Sequence, residues 1–435
     1  MRIVGGTPVF AGIGAAALVV VLTGLPGSAS PAPGAAAVPE RLAGYSLLTG
    51  SVSDSPPGAA VALFQHGFGA EFLDSPQAVV LGAGGEVYRR VDAAEDRAGA
   101  ETQGDPAPML LSPDGTLVAV GDHDTADPDV VVVDLETGRT TAHPLPSGRS
   151  VLPVAWSRDG RTLAHLLSPA PTDPYTGERI AGSVGVLDLG DDTTDVLPDD
   201  DATAVAFSPD ATQLVIEHAG AYFTDGPRLS VVDLASGAQR DLRADGVLAG
   251  PAAWSPDGEL IATTTLEPSG APIGVADPGK PTGLAFVDAS GRDRELPAPV
   301  QRALSGPGRV LGWTDAGGVL VLLDVAGYDP CCGPEASTLS AVPLDGTEPR
   351  TLMRISDLQA HGVGRVQLAS ATVGDLRVVS PTDVDRGRWP LPWRGGLALL
   401  VGLVAWLVSR AVLRRTDPST AGADEEPDRV TDPRR

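Results

Sequence analysis

Short apolar runs separated by turn-forming residues recur along most of the chain. In the clearest unit, the apolar runs Ala252–Trp254 and Leu260–Ala262 flank the turn Ser255-Pro-Asp-Gly258. Proline presets φ at the second turn position, Ser and Asp bond nearby backbone groups, and Gly accepts a positive φ. A short turn of this kind between two apolar runs predicts a β-hairpin.

The spacing of these units predicts the fold. Five times along the chain, an apolar residue directly precedes the Ser or Thr of such a turn: Leu111, Trp156, Phe207, Trp254 and Trp313. The steps between these positions are 45, 51, 47 and 59 residues. Periods of about 40–50 residues are typical of β-propeller blades. Two departures matter locally: Arg158 replaces a turn proline, and Ala211 replaces a turn glycine, which would strain a turn with positive φ.

Each unit carries a second hairpin, and two hairpins make one four-stranded antiparallel blade. The second hairpins lie around Val130–Gly138, Val184–Asp188, Leu229–Gly237, Leu284–Gly291 and Leu339–Gly346. We therefore predict an all-β propeller whose five clear blades span 105–147, 150–198, 202–244, 249–298 and 306–353. A less regular blade lies within 41–104, and residues 362–380 close the ring against it. Six blades are expected, and seven are the alternative.

Four of the aromatic residues share one repeat position, just before the turn: Trp156, Phe207, Trp254 and Trp313. A single four-stranded sheet cannot bury both of its faces, and stacking blades around a ring supplies the missing cover. We interpret these aromatics as core between blades, with a ligand platform as the alternative.

The combined pattern Phe/Trp-Ser-Pro-Asp-Gly and Val-Val-Asp-Leu-x-x-Gly resembles that of the WD-repeat-like, TolB-type β-propellers over roughly residues 105–355. The Trp-Asp and Gly-His dipeptides of true WD repeats are absent from the sequence. The resemblance implies the propeller fold and, in that family, a periplasmic interaction role. It does not single out a ligand, because such propellers also serve as lactonases and as gates of peptidases.

The two ends of the chain are apolar. After Arg2, an apolar run reaches Leu25, and small residues at Gly27–Ala29 precede a Pro/Ala segment. This predicts a secretory signal cleaved after Ala29, with an uncleaved signal anchor as the alternative. Residues 395–413 are apolar apart from Arg410, which is enough to cross a bilayer if Arg410 reaches the interface.

These features predict a single-pass cell-membrane protein with its propeller on the extracytoplasmic side and its C-terminus in the cytoplasm. The expected parts are a signal peptide or anchor (1–30), a Pro/Ala linker (31–40), the propeller (41–380), a short tether (381–394), a transmembrane helix (395–413) and a disordered tail (414–435).

The charge and composition exclude some partners. A net charge of −25 argues against nucleic-acid binding, which needs a basic surface. Lys280 is the only lysine beside thirty arginines, which we interpret as a GC-rich bacterial coding bias.

The connections between the two hairpins of each blade are long and uneven. They cover about 122–129, 168–183, 219–228, 267–283 and 326–338, and four-stranded blades place all of them on one face of the ring. Their aromatic and acidic side chains suit a peptide, protein or glycan, although solvated loops are the plainer alternative. The predicted ligand-binding residues are Asp173, Tyr175, Tyr222, Phe223, Asp225, Tyr328 and Asp329.

Cys331 and Cys332 are the only cysteines and lie on one of these connections. Outside the cell we expect them to form a disulfide, which would be a local knuckle because adjacent cysteines close only an eight-membered ring.

Motifs for catalysis are missing from the sequence. It has no Gly-x-Ser-x-Gly elbow, no His-Glu-x-x-His and no Cys-x-x-Cys, and the acidic run Asp122–Asp129 lacks EF-hand spacing. The predicted innermost strands, Met109–Leu111, Leu152–Trp156, Ala204–Phe207, Ala252–Trp254 and Val310–Trp313, are almost wholly apolar. We therefore expect a non-enzymatic interaction module without cofactor or metal. The alternative is a lactonase-like hydrolase with a metal at the central pore.

Overall fold

A computed structural model describes residues 36–67, 75–174, 180–219, 228–267, 280–292, 295–325, 336–356 and 362–415, together with Ile13 and Ala15. The chain divides into two compact units. One comprises Gly27–Gly387, and the other combines Met1–Pro26 with Arg388–Arg435.

Unit Gly27–Gly387 is a six-bladed β-propeller, as the repeat predicts. Six four-stranded antiparallel sheets follow one another along the chain, and in blades 2–6 the strand order in the sheet equals the order in sequence. Blade 2 contains β5 (Met109–Leu111), β6 (Leu117–Val120), β7 (Asp129–Asp134) and β8 (Thr140–Pro144). Blade 3 contains β9 (Ser150–Trp156), β10 (Thr162–Ser168), β11 (Ser183–Asp188) and β12 (Thr193–Val196).

The next three blades repeat this arrangement. Blade 4 contains β13 (Ala202–Phe207), β14 (Gln213–His218), β15 (Arg228–Asp233) and β16 (Gln239–Leu242). Blade 5 contains β17 (Val247–Leu248), β18 (Leu260–Glu267), β19 (Lys280–Asp288) and β20 (Val300–Gln301). Blade 6 contains β21 (Val310–Trp313), β22 (Val319–Asp324), β23 (Ala336–Val342) and β24 (Arg350–Ser356).

Blade 1 closes the ring with strands from both ends of the unit. Its order is β25 (Val363–Leu368), β2 (Ala60–His66), β3 (Gln77–Gly82) and β4 (Tyr88–Arg90), so the C-terminal β25 supplies the first strand. A separate parallel pair joins β1 (Ala37–Pro39) to β26 (Arg377–Val379). The prediction that residues 362–380 close the ring against the first blade is confirmed for β25, whereas β26 pairs with β1 in the separate two-stranded sheet.

A glutamine side chain ties the closing strand to blade 2. The Gln367 amide accepts a hydrogen bond from the Leu111 N–H at 2.9 Å and donates one to the Met109 carbonyl at 2.9 Å. One side chain thus bonds two backbone groups of β5, and Arg365 adds a hydrogen bond to the Pro106 carbonyl at 3.2 Å.

The first strand of blade 5 differs from the prediction. The sequence places it at Ala252–Trp254, but the structure places β17 at Val247–Leu248, and Trp254 makes only an isolated bridge to Ile261. Gly250 has φ +87° and Pro251 has no N–H to donate, so the ladder is interrupted between the two segments.

The predicted aromatics lie in the core between blades. Trp156, Phe207, Trp254 and Trp313 are at most 7% exposed. The Trp156 indole N–H donates to the Leu110 carbonyl of blade 2 at 3.2 Å, and that of Trp313 donates to the Ala252 carbonyl of blade 5 at 2.9 Å. These two tryptophans therefore bond neighbouring blades as well as packing between them.

The segment after β26 stays bound to blade 1 as far as Gly387. Asp385 bridges Val87 in parallel, and its carboxylate pairs with the buried Arg89 at 3.1 Å. Arg386 donates to the Gly44 carbonyl at 2.6 Å, and its guanidinium lies 5.7 Å from the centre of the Tyr88 ring. A short helix, α1 (Asp92–Glu95), follows β4 in the same blade.

The second unit is described mainly by helix α2 (Leu391–Arg415), which contains the predicted transmembrane segment. Its stretch Leu391–Leu413 is long and apolar enough to cross a membrane. Most of its large side chains are exposed, including Leu399 at 76% and Val408 at 57%. Ile13 and Ala15 are helical, and the other residues of the predicted signal segment and the tail after Arg415 lie outside the described residues.

Candidate functional site: the loop face and the central mouth

The strand order gives the ring two different faces. We call the end that carries the connections between the second and third strands of each blade the loop face; these connections are residues 67–76, 121–128, 169–182, 219–227, 268–279 and 325–335. The opposite end, which we call the turn face, carries the hairpin turns within each blade. Because the strands alternate in direction, every connection of one type lies at the same end.

The predicted ligand-binding residues fall by sequence within these connections, and the structure describes one of them, Asp173. Tyr175, Tyr222, Phe223, Asp225, Tyr328 and Asp329, and also Cys331 and Cys332, lie outside the described residues. The predicted binding set and the predicted disulfide therefore stay predictions.

Asp173 adjoins a polar cluster that joins blades 2 and 3. Its neighbour Thr172 has its hydroxyl 2.9 Å from His123 Nδ1 and 2.7 Å from the Ser150 hydroxyl. Burial lowers the pKa of His123 to about 4, assisted by the charge of Arg365 and opposed by that of Asp173. His123 is therefore neutral at pH 7 and serves as a hydrogen-bonding group.

Ion pairs fix the acidic connection of blade 2. Arg149 pairs with Asp124, and Arg97 pairs with Asp129. Burial raises the pKa of Asp122, whose carboxylate accepts the Asp124 N–H at 3.0 Å. Within the part of the chain that the structure describes, no three His, Cys, Asp or Glu side chains are grouped to hold a metal ion.

The turn face has a cavity at its centre, which we call the central mouth. All six blades contribute to its lining, which consists of Pro113, Trp156, Arg158, Phe207, Ser208, Pro209, Pro251, Ala252, Trp254, Pro256, Trp313, Ser370 and Ala371. The mouth has a volume of about 60 Å³, and a second cavity of about 50 Å³ adjoins it along the first strands, where Arg309 and Gln367 are the larger polar residues. The sequence identified the aromatics of this site and assigned them to the core between blades, with a ligand platform as the alternative.

Two rings of aspartates surround the central mouth. The inner ring lies in the first turns, which join the first and second strands of a blade (Asp114, Asp159, Asp210, Asp257). The outer ring lies in the second turns, which join the third and fourth strands (Asp134, Asp188, Asp233, Asp288, Asp345). Each carboxylate accepts a backbone N–H two residues further on, at 2.7–3.2 Å or, for Asp233, three residues on. The nine side chains are thus oriented by the turns that they build.

Hydrogen bonds keep several of these carboxylates ionised. The Ser157 hydroxyl lowers the pKa of Asp159, and the Ser208 hydroxyl lowers that of Asp210. The Ser236 hydroxyl has the same effect on Asp233, and the Thr347 N–H lowers the pKa of Asp345. The turn face therefore carries fixed negative charge at neutral pH.

Blade 4 contains a hydrogen-bonded triad, buried at His218 and Ser230, that sequence reasoning missed. Asp201 Oδ1 lies 2.7 Å from His218 Nδ1, and His218 Nε2 lies 2.8 Å from the Ser230 hydroxyl. The order is that of an acyl-transfer triad, but His218 and Ser230 are fully buried and Gln239 donates to the same hydroxyl at 2.9 Å. The network thus cross-links β14, β15 and β16. No local motif could reveal it, because its members lie on separate segments.

No protein-family model matches the chain, and no curated protein matches it either. Among solved structures, TolB from Acinetobacter baumannii has 15% identity and a TM-score of 0.46 over 72% of this chain and 67% of that one. A chain of a nidogen/laminin complex has 10% identity and a TM-score of 0.43 over 72% and 99%. An oligogalacturonate lyase in complex with manganese has 13% identity and a TM-score of 0.38 over 57% and 64%.

The chain is a six-bladed β-propeller. That assignment rests on the order of the strands in the six sheets. The predicted resemblance to TolB-type propellers holds for the fold.

Proposed function

We propose that the protein is a membrane-anchored, extracytoplasmic interaction module that binds a protein, peptide or glycan on its loop face. The observation that supports this proposal is the strand order, which places the connections between the second and third strands of all six blades at one end. Insertions gathered on one face of a repeat protein usually form its binding surface. Asp173, Tyr175, Tyr222, Phe223, Asp225, Tyr328 and Asp329 are the proposed contact residues.

A non-enzymatic role agrees with the described chemistry. A lactonase-like hydrolase would need histidines and carboxylates that converge on a metal in the central channel. The described lining instead offers arginine, serine and glutamine side chains among apolar ones, and the Gln367 amide already bonds β5. The Ser230 hydroxyl of the buried triad has no exposed surface for a substrate to reach.

Helix α2 supplies the proposed anchor. Its exposed apolar surface suits lipid, and the guanidinium of Arg410 lies 5.2 Å from the centre of the Trp406 ring near the C-terminal end. We propose that an N-terminal export segment, whether cleaved or retained, places the propeller outside the cytoplasm and leaves the tail after α2 inside. Carbonate extraction of membranes and protease treatment of intact cells test the anchor and the orientation.

The binding surface can be tested by site-specific photocrosslinking in cells that make the full chain. A photoreactive amino acid replaces Tyr175, Tyr222 or Tyr328 on the loop face, and the matched controls carry it at the exposed turn-face positions Glu136 and Asp191. Discrete adducts are expected from the loop-face positions, and they should differ in size from any adduct formed at the turn-face positions. Adducts from the turn-face positions only, or the same smear from both sets, would rule out the loop face as the binding surface.

A further inference from the structure

The central mouth is a second surface with the properties of a docking site, separate from the loop face. Three tryptophans, one phenylalanine and four prolines line it, and blade 1 adds Ser370 and Ala371. Its volume of about 60 Å³ holds about four water molecules. That space fits one inserted side chain of a larger partner better than a whole small-molecule ligand.

The charges around the central mouth identify the kind of partner. The nine ring aspartates are held in place by their own turns, and Glu136, Asp191 and Glu348 add further exposed acidic groups in the second turns. The basic residues of the described turns are fewer: Arg139, Arg158, Arg161 and Arg292. An approaching segment therefore meets negative charge before it reaches the apolar centre, and a basic segment is attracted.

We propose that the central mouth docks a basic segment of a partner protein, which inserts one apolar side chain between the indoles. The inserted side chain would displace water from an apolar surface, and the flanking lysines or arginines would meet the two aspartate rings. Tryptophans in well-packed pockets from which water is excluded are typical energetic centres of protein interfaces.

Arg158 allows the proposed positive charge of the partner to be tested. It is the one charged residue in the lining of the central mouth, and it stands where three other repeats have Pro113, Pro209 and Pro256. Its positive charge opposes a basic partner and would favour an acidic one. Replacing it by proline restores the turn sequence of the other blades, so Arg158→Pro changes the charge of the rim without an expected loss of the fold.

The experiment uses the full chain in nanodiscs of neutral lipid, with empty nanodiscs as the blank. Three labelled peptides serve as probes: Arg-Arg-Leu-Arg-Arg, Arg-Arg-Gly-Arg-Arg and Glu-Glu-Leu-Glu-Glu. Binding is measured by fluorescence anisotropy. The change in protein fluorescence tests for contact with Trp156, Trp254 and Trp313, which are three of the six tryptophans of the chain. We expect the leucine-centred basic peptide to bind most tightly and to alter the tryptophan emission.

Four variants then locate the contact. Arg158→Pro is expected to tighten binding of the basic peptide about two- to fivefold, and Asp159→Asn, which keeps the oxygen that its turn needs, to weaken it by a similar factor. Ser370→Phe fills the central mouth and should abolish the preference for leucine over glycine. Asp127→Asn makes the same charge change on the loop face and should leave the affinity unaltered.

The proposal is overturned if the acidic peptide binds better, if Arg158→Pro weakens binding, or if Asp127→Asn acts as strongly as Asp159→Asn. An equal affinity for the leucine and glycine peptides would also overturn it, because the central mouth would then not bind the apolar side chain. These results are independent of the loop-face crosslinks, so either binding surface can fail while the other stands.

Discussion

Ala211 has a backbone conformation that alanine rarely adopts. Its φ is +59°, whereas the equivalent turn residues Gly115, Gly160 and Gly258 have φ of +75°, +69° and +77°. An L-residue in this left-handed region costs about 1–2 kcal/mol, and glycine loses part of that advantage through its greater freedom in the unfolded chain. The strain anticipated from the sequence is therefore present.

Ala211→Gly should raise the free energy of unfolding by about 0.5–1 kcal/mol. Urea unfolding of the detergent-solubilised chain measures this change. Gly258→Ala is the reciprocal control, because a Cβ there would meet only Pro209 at 3.8 Å and its effect comes from φ alone. An unchanged midpoint for Ala211→Gly, with a lower one for Gly258→Ala, would contradict the assignment of strain.

His165 should make the fold sensitive to acid. Its ring is fully buried opposite Gly185, where a Cβ would collide with it, and neither ring nitrogen meets the geometry of a hydrogen bond. Burial lowers its pKa from 6.5 to about 4. The unfolded chain therefore binds the proton more readily, and stability is lost as the pH falls from about 6.5 towards 4.

For this one group the loss between pH 7 and pH 5 is about 2 kcal/mol. His123 acts in the same direction. Glu95 acts in the opposite direction, because burial raises its pKa to about 7 and the fold therefore loses stability as this carboxyl ionises at rising pH. We expect His165→Leu to remove about 2 kcal/mol of the difference between urea unfolding at pH 7 and at pH 5. A variant with the wild-type pH dependence would show that His165 is not the responsible group.

Among the elements, β25 depends on one side chain at its seam with blade 2. Gln367→Leu leaves the buried Leu111 N–H and Met109 carbonyl without their amide partner, which costs about 2–4 kcal/mol. Gln301→Leu, at an exposed strand position, is the matched control and should change stability little. Thermal unfolding of both variants tests this, and equal midpoints would show that the seam does not need the amide.

The repeated elements were predictable because turn chemistry and alternating apolar runs act locally. Residues 105–353 contain five blades close to the predicted bounds, since each Ser-x-Asp turn fixes its own hairpin. The interruption of the strand ladder at Gly250–Pro251 was not predicted, because the apolar residues Ala252–Trp254 that follow it match the repeat pattern. The link between Asp201, His218 and Ser230 was not predictable either, since contacts across a sheet leave no spacing rule in the sequence.

The sequence predicted the loop face as a binding surface but did not predict the central mouth. The strand alternation places the connections between second and third strands on one face, but side-chain positions within them do not follow from topology. The aromatics of the central mouth were assigned to the core, and they are indeed buried. What the sequence did not show is that their edges also line a cavity, because that depends on how six blades converge.

For the whole molecule, the segment 381–387 should be part of the folded propeller. A chain that ends after Gly387 keeps the pair between Arg89 and Asp385, whereas a chain that ends after Val379 leaves the buried Arg89 without this carboxylate. The shorter chain should lose about 3 kcal/mol of stability. Urea unfolding of the two purified truncations measures the difference, and identical curves would show that the segment is only a linker.

The pairing of Ala62 with Leu368 also sets the order of events during synthesis. Two strands on the order of 300 residues apart must meet, so β2 waits with an unpaired edge until nearly all of the chain has left the ribosome. Such an edge is a template for pairing with other chains. The yield of native protein should therefore depend on holdase chaperones more than on the stability of the finished ring.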